Sequence, residues 1–273
     1  MKKFAALLSL LLAFTVVLAA CGSSSKNEAN NGDNKSSQED LYNKVKKDGV
    51  LTIGTEGTYP PFTFHDDKQK LTGFDVELAQ EVAKRLGVKA EFKETQWDAM
   101  FAGLNSKRFD MIANEVGIRE DRKKKYDFSD PYIKSGAVLI VRKDEKNITS
   151  FDDLKGKKSA QSLTSNYKDL AQSYGATLVN AKGFAQAVDL ITSKRTDATI
   201  NDKLSFLDYK KKHPNATVKI ADEKNDGSAS GFTFRKGNDK LVEEVNKALK
   251  DMKKDGTYAK ISKKWFGEDV SPK

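Results

Sequence analysis

Nucleophilic and metal-binding side chains are scarce in this sequence. It holds one cysteine, Cys21, and two histidines, His65 and His213, far apart and outside any HExxH pattern. A His/Cys zinc site needs several such ligands together, and a Cys–His nucleophile needs a pair, so neither is expected, nor any cofactor. No GxxxxGK[ST] phosphate loop occurs. What remains is charge recognition. Thr164-Ser165-Asn166 falls between an expected strand and an expected helix. There the amides of the helix start attract anions and the hydroxyls add donors; plain capping by Ser165 explains the same residues. Arg122 leads the run Arg122-Lys123-Lys124-Lys125. A guanidinium fork grips both oxygens of a carboxylate, which lysine cannot reproduce, yet on the residues alone a solvated basic face is the stronger reading. Asp202 ends an expected strand, where it would cap the helix that follows.

These groups are positioned by alternating elements. Val50–Thr55 reads as a strand, and Leu78, Ala79, Val82, Ala83 and Leu86 recur at helical spacing behind an N-cap at Asp75, with Gly87 as the stop. Residues 96–106 read as a helix with Trp97, Met100, Phe101 and Leu104 on one side, so Trp97 alone suggests core packing. Strands are expected at 89–93, 109–113, 132–141, 158–161, 177–180, 198–201, 218–221 and 231–235. Helices are expected at 166–174, 184–193, 203–212, 240–254 and 258–266, with a helical turn at 151–154. Strand–helix alternation over about 230 residues predicts an α/β protein with mainly parallel sheets.

The chain has 273 residues and a net charge of +9. Its 15 Phe, 8 Tyr and 2 Trp supply core material that a disordered chain lacks. The basic residues are spread rather than blocked, so no nucleic-acid partner is expected. Met1-Lys2-Lys3 and the apolar run Phe4–Leu18 read as a signal peptide over residues 1–20. Leu18-Ala19-Ala20-Cys21-Gly22 resembles the bacterial lipobox, in which the chain is cut before a cysteine that carries diacylglycerol. Two acyl chains make a stable anchor. Residues 21–40 are rich in Ser, Asn, Gly and Lys, a flexible tether. The expected place of work is therefore extracytoplasmic, at the cell membrane.

Several motifs recur in one order: Glu56-Gly57-Thr58-Tyr59-Pro60-Pro61-Phe62, Leu71-Thr72-Gly73-Phe74-Asp75-Val76, Gln96-Trp97-Asp98, the segment from Arg122 to Tyr132, and Lys264-Trp265-Phe266-Gly267. On these the chain resembles the extracellular solute-binding proteins of polar amino-acid ABC transporters, and within them the cystine-binding members, over about residues 41–270. The resemblance implies an α/β, two-lobe periplasmic-binding-protein-like fold (type II), with two hinge strands and the ligand in the interlobe cleft. Lobe 1 would be 41–134 and 231–273, and lobe 2 would be 135–230. Hinge closure is the implied motion.

The same resemblance implies site roles. Arg122 grips the ligand's carboxylate, and Thr164, Ser165 and Asn166 supply its second set of contacts. The turn here reads Leu163-Thr164-Ser165 where the family has a Gly-Thr-like pair. Asp202 pairs with the α-ammonium, and Asn114 and Gly117 offer polar contacts to the amino-acid group. Tyr59 and Trp97 sandwich the side chain, and Phe62 is divided between cleft wall and core. Glu56, Trp97, Glu115 and Tyr167 would set side-chain identity. Two acids fit a ligand with a distal ammonium, as in cystine, lysine or arginine. The distal carboxylate of cystine wants a donor, for which a lysine or a water would serve. The implied protein is a monomeric binding lipoprotein, not an enzyme, whose partners are the amino acid, the permease subunits and the membrane. A basic amino acid or a thioether relative of cystine is the alternative ligand. A dehydratase-like enzyme on the same fold, with Glu56 or Glu115 as acid, is the competing class.

Overall fold

The computed structural model describes residues 40–272. The expected signal peptide, Cys21 and the tether up to residue 39 lie outside the described residues. Asp40, placed in the tether by its composition, instead caps the helix Leu41–Asp48, its side chain accepting from the Tyr42 amide at 3.1 Å.

Two five-stranded sheets organise the rest. The first runs in the order Lys89–Glu94, Val50–Thr55, Met111–Ile112, Thr233–Arg235 and Tyr126–Phe128. The second runs Thr177–Asn180, Lys158–Gln161, Ala198–Asp202, Ile133–Arg142 and Val218–Ser230. In each, the first two pairings are parallel and the last two antiparallel. The expectation of mainly parallel sheets is thus corrected. Thr233–Arg235 enters the first sheet and Ile133–Arg142 the second as returning strands rather than as ends of strand–helix–strand crossovers, and only those crossovers impose parallel pairing.

Ile133–Arg142 and Val218–Ser230 form a long antiparallel ribbon. Ile133 packs into the core of the first-sheet half, with Leu51, Phe74 and Phe234, while Ala137, Leu139 and Val141 pack into the second-sheet half. The ribbon therefore carries the chain between the halves. Val138 and Ile140 alternate onto a further cluster with Phe184, Val188 and Phe206, as a strand buried on both faces requires.

The helix Phe74–Arg85 begins two residues earlier than the expected cap allows. Its N-cap is Gly73 at φ +130, where a Cβ would lie 2.2 Å from the Phe62 carbonyl oxygen, so only glycine fits. Asp75 is not a cap but a fully buried side chain. Its Oδ2 accepts from the Tyr132 hydroxyl at 2.7 Å and from the Glu115 amide. A small three-stranded sheet, Thr58–Tyr59, Thr63–His65 and Leu71–Thr72, follows the first strand.

Candidate ligand-binding site

A cavity of about 480 Å³, counting its mouth, lies between the two halves. From the first-sheet half it is lined by Glu56, Tyr59, Trp97, Asn114 and Glu115, all expected there. From the second-sheet half come the expected Ser165, Asn166 and Tyr167. Thr58, Ser162, Gly183, Phe184 and Asn201 also line it, and sequence reasoning missed them. Thr58 lay inside a quoted motif, and Asn201 lay one residue before Asp202, so proximity was the available signal.

Each polar group is fixed by local chemistry. Glu56 follows the Val50–Thr55 strand, and its carboxylate accepts from Asn114 Nδ2 at 2.8 Å while its own amide donates to Asn114 Oδ1 at 2.7 Å. Burial outweighs these bonds and pushes the Glu56 carboxyl up to about 7. Glu115 adopts φ +50, a left-handed conformation uncommon for a side-chain-bearing residue. That turn aims its amide at Asp75 and Tyr132 and its carboxylate at the Ser230 and Tyr59 hydroxyls, at 3.3 and 3.4 Å. Burial, with Asp202 and Asp75 close by, holds the Glu115 carboxyl well above the ordinary range.

Arg122 sits on the short helix Glu120–Lys123 and is only 7% exposed. Its Nη1 donates to the Gly117 carbonyl at 3.0 Å and its Nη2 to the Thr164 carbonyl at 3.3 Å. The guanidinium lies 5.5 Å from the Trp97 ring and 5.3 Å from Phe101. The neighbouring acids Asp121 and Asp169 are taken by Arg119, each at 2.8 Å. Among the described residues no carboxylate forms an ion pair with Arg122. Burial, with Arg119 beside it, lowers its pKa to about 10, so it stays cationic at neutral pH.

Asp202 caps the helix Lys203–Lys212. Its Oδ1 accepts from the Leu204 and Ser205 amides at 2.8 and 3.1 Å. Its Oδ2 is buried and lies near the Ser135 hydroxyl without a hydrogen bond of good geometry. Burial pushes its carboxyl up to about 6. Asp202 is not among the residues that line the cavity, but it is close enough to Glu115 and Tyr59 to raise both electrostatically.

Five expected residues do not line the cavity: Arg122 and Asp202, described above, and Phe62, Gly117 and Thr164. Phe62 is fully buried, stacked behind Tyr59 at 5.4 Å and against Phe266, so it is core rather than cleft wall. Gly117 contributes its carbonyl to Arg122 and bridges Ser230. The Thr164 hydroxyl and amide donate to Asp98 Oδ1 at 2.9 and 3.0 Å, away from the cavity. Asp98 belonged to the quoted Trp-Asp pair but was given no role. Further contacts join the halves: Arg119 to Asp169, and the Ser205 hydroxyl to the Pro60 carbonyl at 2.8 Å.

The family model of bacterial extracellular solute-binding proteins, family 3, matches residues 51–268. The L-cystine-binding protein TcyA of Bacillus subtilis (strain 168) is 57% identical over 273 residues, covering 99% of this chain and 100% of that protein. An ancestral arginine-binding protein bound to arginine superposes with a TM-score of 0.76 at 45% identity, covering 80% of this chain and 99% of the other. The L-cystine solute receptor of Neisseria gonorrhoeae, in its unliganded open conformation, gives a TM-score of 0.57 at 50% identity, covering 85% and 99%.

Proposed function

The chain belongs to the bacterial extracellular solute-binding proteins of family 3, and from that premise we propose that it captures a polar amino acid, L-cystine first, in the cavity between its halves and delivers it to a membrane ABC permease. The observation that carries this reading is Arg122. It is a buried cation that donates to two carbonyls and has no carboxylate partner among the described residues. A buried charge left without an opposite charge is costly. The carboxylate of an amino acid supplies that charge, and its α-ammonium meets Glu115 on the cavity wall and draws on the free, buried oxygen of Asp202 close by, which a small shift on binding brings into contact.

In this reading Tyr59 and Trp97 flank the ligand side chain, and Asn114, Gly117 and the Thr164–Asn166 turn complete its polar contacts. Glu56, Glu115 and Tyr167 read the distal end. Phe62 acts through Tyr59. Residues 41–134 and 231–273 form one lobe and 135–230 the other, hinged on the two-strand ribbon. The bonds between the halves from Asp98, Arg119 and Ser205 support a closed arrangement. The lower superposition on the open receptor, despite the higher identity, fits that state. The protein acts as a monomeric receptor rather than as a catalyst, anchored through acylated Cys21.

L-cystine is favoured because the named relatives TcyA and the gonococcal receptor are cystine binders. The arginine-bound structure and the two cavity acids support a basic amino acid as the second choice. Calorimetric titration decides. Protein unfolded and refolded to strip carried-over ligand should bind L-cystine one-to-one, ahead of arginine, lysine and glutamine. Preference for arginine would replace the substrate but keep the receptor. Absence of binding across the panel, with turnover of a dehydratase substrate, would overturn the receptor.

A further inference from the structure

Beneath the main cavity, in the second-sheet half, lies a narrow annex of about 240 Å³, counting the open space at its mouth. It shares Ser162, Ser165, Gly183, Phe184 and Asn201 with the main cavity and continues down to Gln161 and Thr199. None of the residues lining it is charged. Its unspent donors lie at the border with the main cavity, because the Ser162 and Thr199 hydroxyls already donate to the Ala181 and Ala160 carbonyls. The nine-residue helix Phe184–Thr192 starts at its wall, and the N-cap, Gly183, offers no side-chain cap, so the first amides of that helix are left to outside acceptors. Asn201 is 8% exposed, and its Nδ2 has no hydrogen-bond partner among the described residues. A buried amide donor left unmade is costly, and this one borders both chambers. The Ser165 hydroxyl oxygen accepts from the Tyr167 amide at 3.1 Å, which leaves its own hydrogen to give. By contrast, Gln161 Nε2 is engaged by Ser159 and Thr199.

The two chambers therefore differ in sign. Glu56 and Glu115 border the main cavity and suit ammonium groups. The annex carries no acid and is bordered by an orphaned amide and a helix N-terminus, the arrangement that holds an anion without a cation. We propose that the annex is the subsite for the distal carboxylate of a diacidic, disulfide-linked amino acid, with the Asn201 amide and the Gly183–Phe184 helix start as its donors. Neutral donors, not a lysine, then meet the second carboxylate. A basic side chain entering the annex would find donors where it needs acceptors. Asn201 would thus separate a cystine-like ligand from arginine or lysine. The inference rests on the amino-acid-receptor reading above and goes beyond it in placing the selective contact.

The test uses two probes that differ by one group: L-cystine, and the mixed disulfide of L-cysteine with cysteamine, which lacks only the second carboxylate. Both are titrated into the refolded full chain and into Asn201→Asp and Asn201→Ala. The wild-type protein should bind L-cystine at least roughly tenfold tighter than the mixed disulfide, the loss expected for a carboxylate deprived of its hydrogen bonds. Asn201→Asp should weaken L-cystine by roughly thirtyfold or more, through like-charge repulsion, and change the mixed disulfide by less than about threefold. Asn201→Ala should bring the two ligands together. Equal wild-type affinity for the two probes overturns the subsite, and so does an equal loss of both in the variants, which a merely structural Asn201 would give. Should neither variant fold, the wild-type ratio alone decides. Tight binding of arginine or glutamine with none of cystine removes the annex proposal and leaves the receptor standing. If the wild-type protein binds no amino acid, both fall.

Discussion

The two walls of the cavity are built on different principles. On the first-sheet wall the charges are held by partners in their own half: Asn114 fixes Glu56, Asp75 and Tyr132 fix the Glu115 backbone, and Gly117 takes one Arg122 nitrogen. On the second-sheet wall the recognition groups are helix starts, capped by Ser165 and Asp202 or left open at Gly183. Its turn at Leu163–Thr164 is bonded to Asp98 of the opposite half. The first wall is preorganised; on the closure proposed above, part of the second is put in place as the halves meet. Preorganised charge contributes affinity because its ordering cost is met on folding, whereas a wall positioned by closure should govern how long the ligand stays.

Arg122→Ala should show the largest effect, a loss of binding of roughly a thousandfold, as expected when one partner of a buried ion pair is removed. Ligand-free Arg122→Ala should still fold, with a circular-dichroism melt close to wild type, because no internal ion pair is broken. Near-normal affinity in calorimetry would take Arg122 out of the site. Asp202→Asn comes next, with affinity reduced roughly thirtyfold. Asparagine caps helices about as well as aspartate, so the melting temperature should hardly move, which separates ligand pairing from capping. A large fall in melting temperature with intact affinity would make Asp202 a cap only.

Asp98→Ala probes the second wall. Stopped-flow kinetics should show dissociation faster by roughly fivefold, with the association rate nearly unchanged. A slower association instead would mean that Asp98 acts before closure, and the contrast between the walls would fail.

The smallest effect concerns acidity. Glu56 and Asp75 titrate near 7 in the folded protein, above the ordinary carboxylate value near 4. The folded state therefore keeps protons that the unfolded chain has released. Stability is greatest below the unfolded value and is lost as pH rises through about 7. The ligand-free melting temperature should be higher at pH 5.5 than at pH 8 by a few degrees, roughly 2–4 °C per kcal/mol for a body of this size. Asp75→Asn should flatten the dependence. A melting temperature that rises with pH over this range would reverse the assignment.

Much of this was legible in the residues. Strand and helix periodicity located Val50–Thr55, Lys158–Gln161, Thr177–Asn180 and Lys203–Lys212 to the residue, because each has a sharp boundary signal. Motif order located most of the first wall. What was not legible depends on long-range pairing. Asp75 reads as an N-cap by type and position, but Gly73 takes that place and Asp75 turns inward to Tyr132, 57 residues away. Phe62 cannot be divided between wall and core without the rings of Tyr59 and Phe266 around it. Val218–Ser230, 13 residues long, is about three times the length its apolar stretch suggests, since its pairing with Ile133–Arg142, not its own hydrophobicity, carries it on. Asn201 is one polar residue in a strand until its unpartnered amide is seen at the border of two chambers.

A crystal structure of the chain with L-cystine tests the central claim most directly. The account predicts one ligand carboxylate within about 3 Å of the Arg122 guanidinium and its α-ammonium on Asp202, with the Asp98–Thr164 bonds in place. A ligand bound in the same cavity with its carboxylate elsewhere, and with Arg122 still donating only to the Gly117 and Thr164 carbonyls, would contradict it.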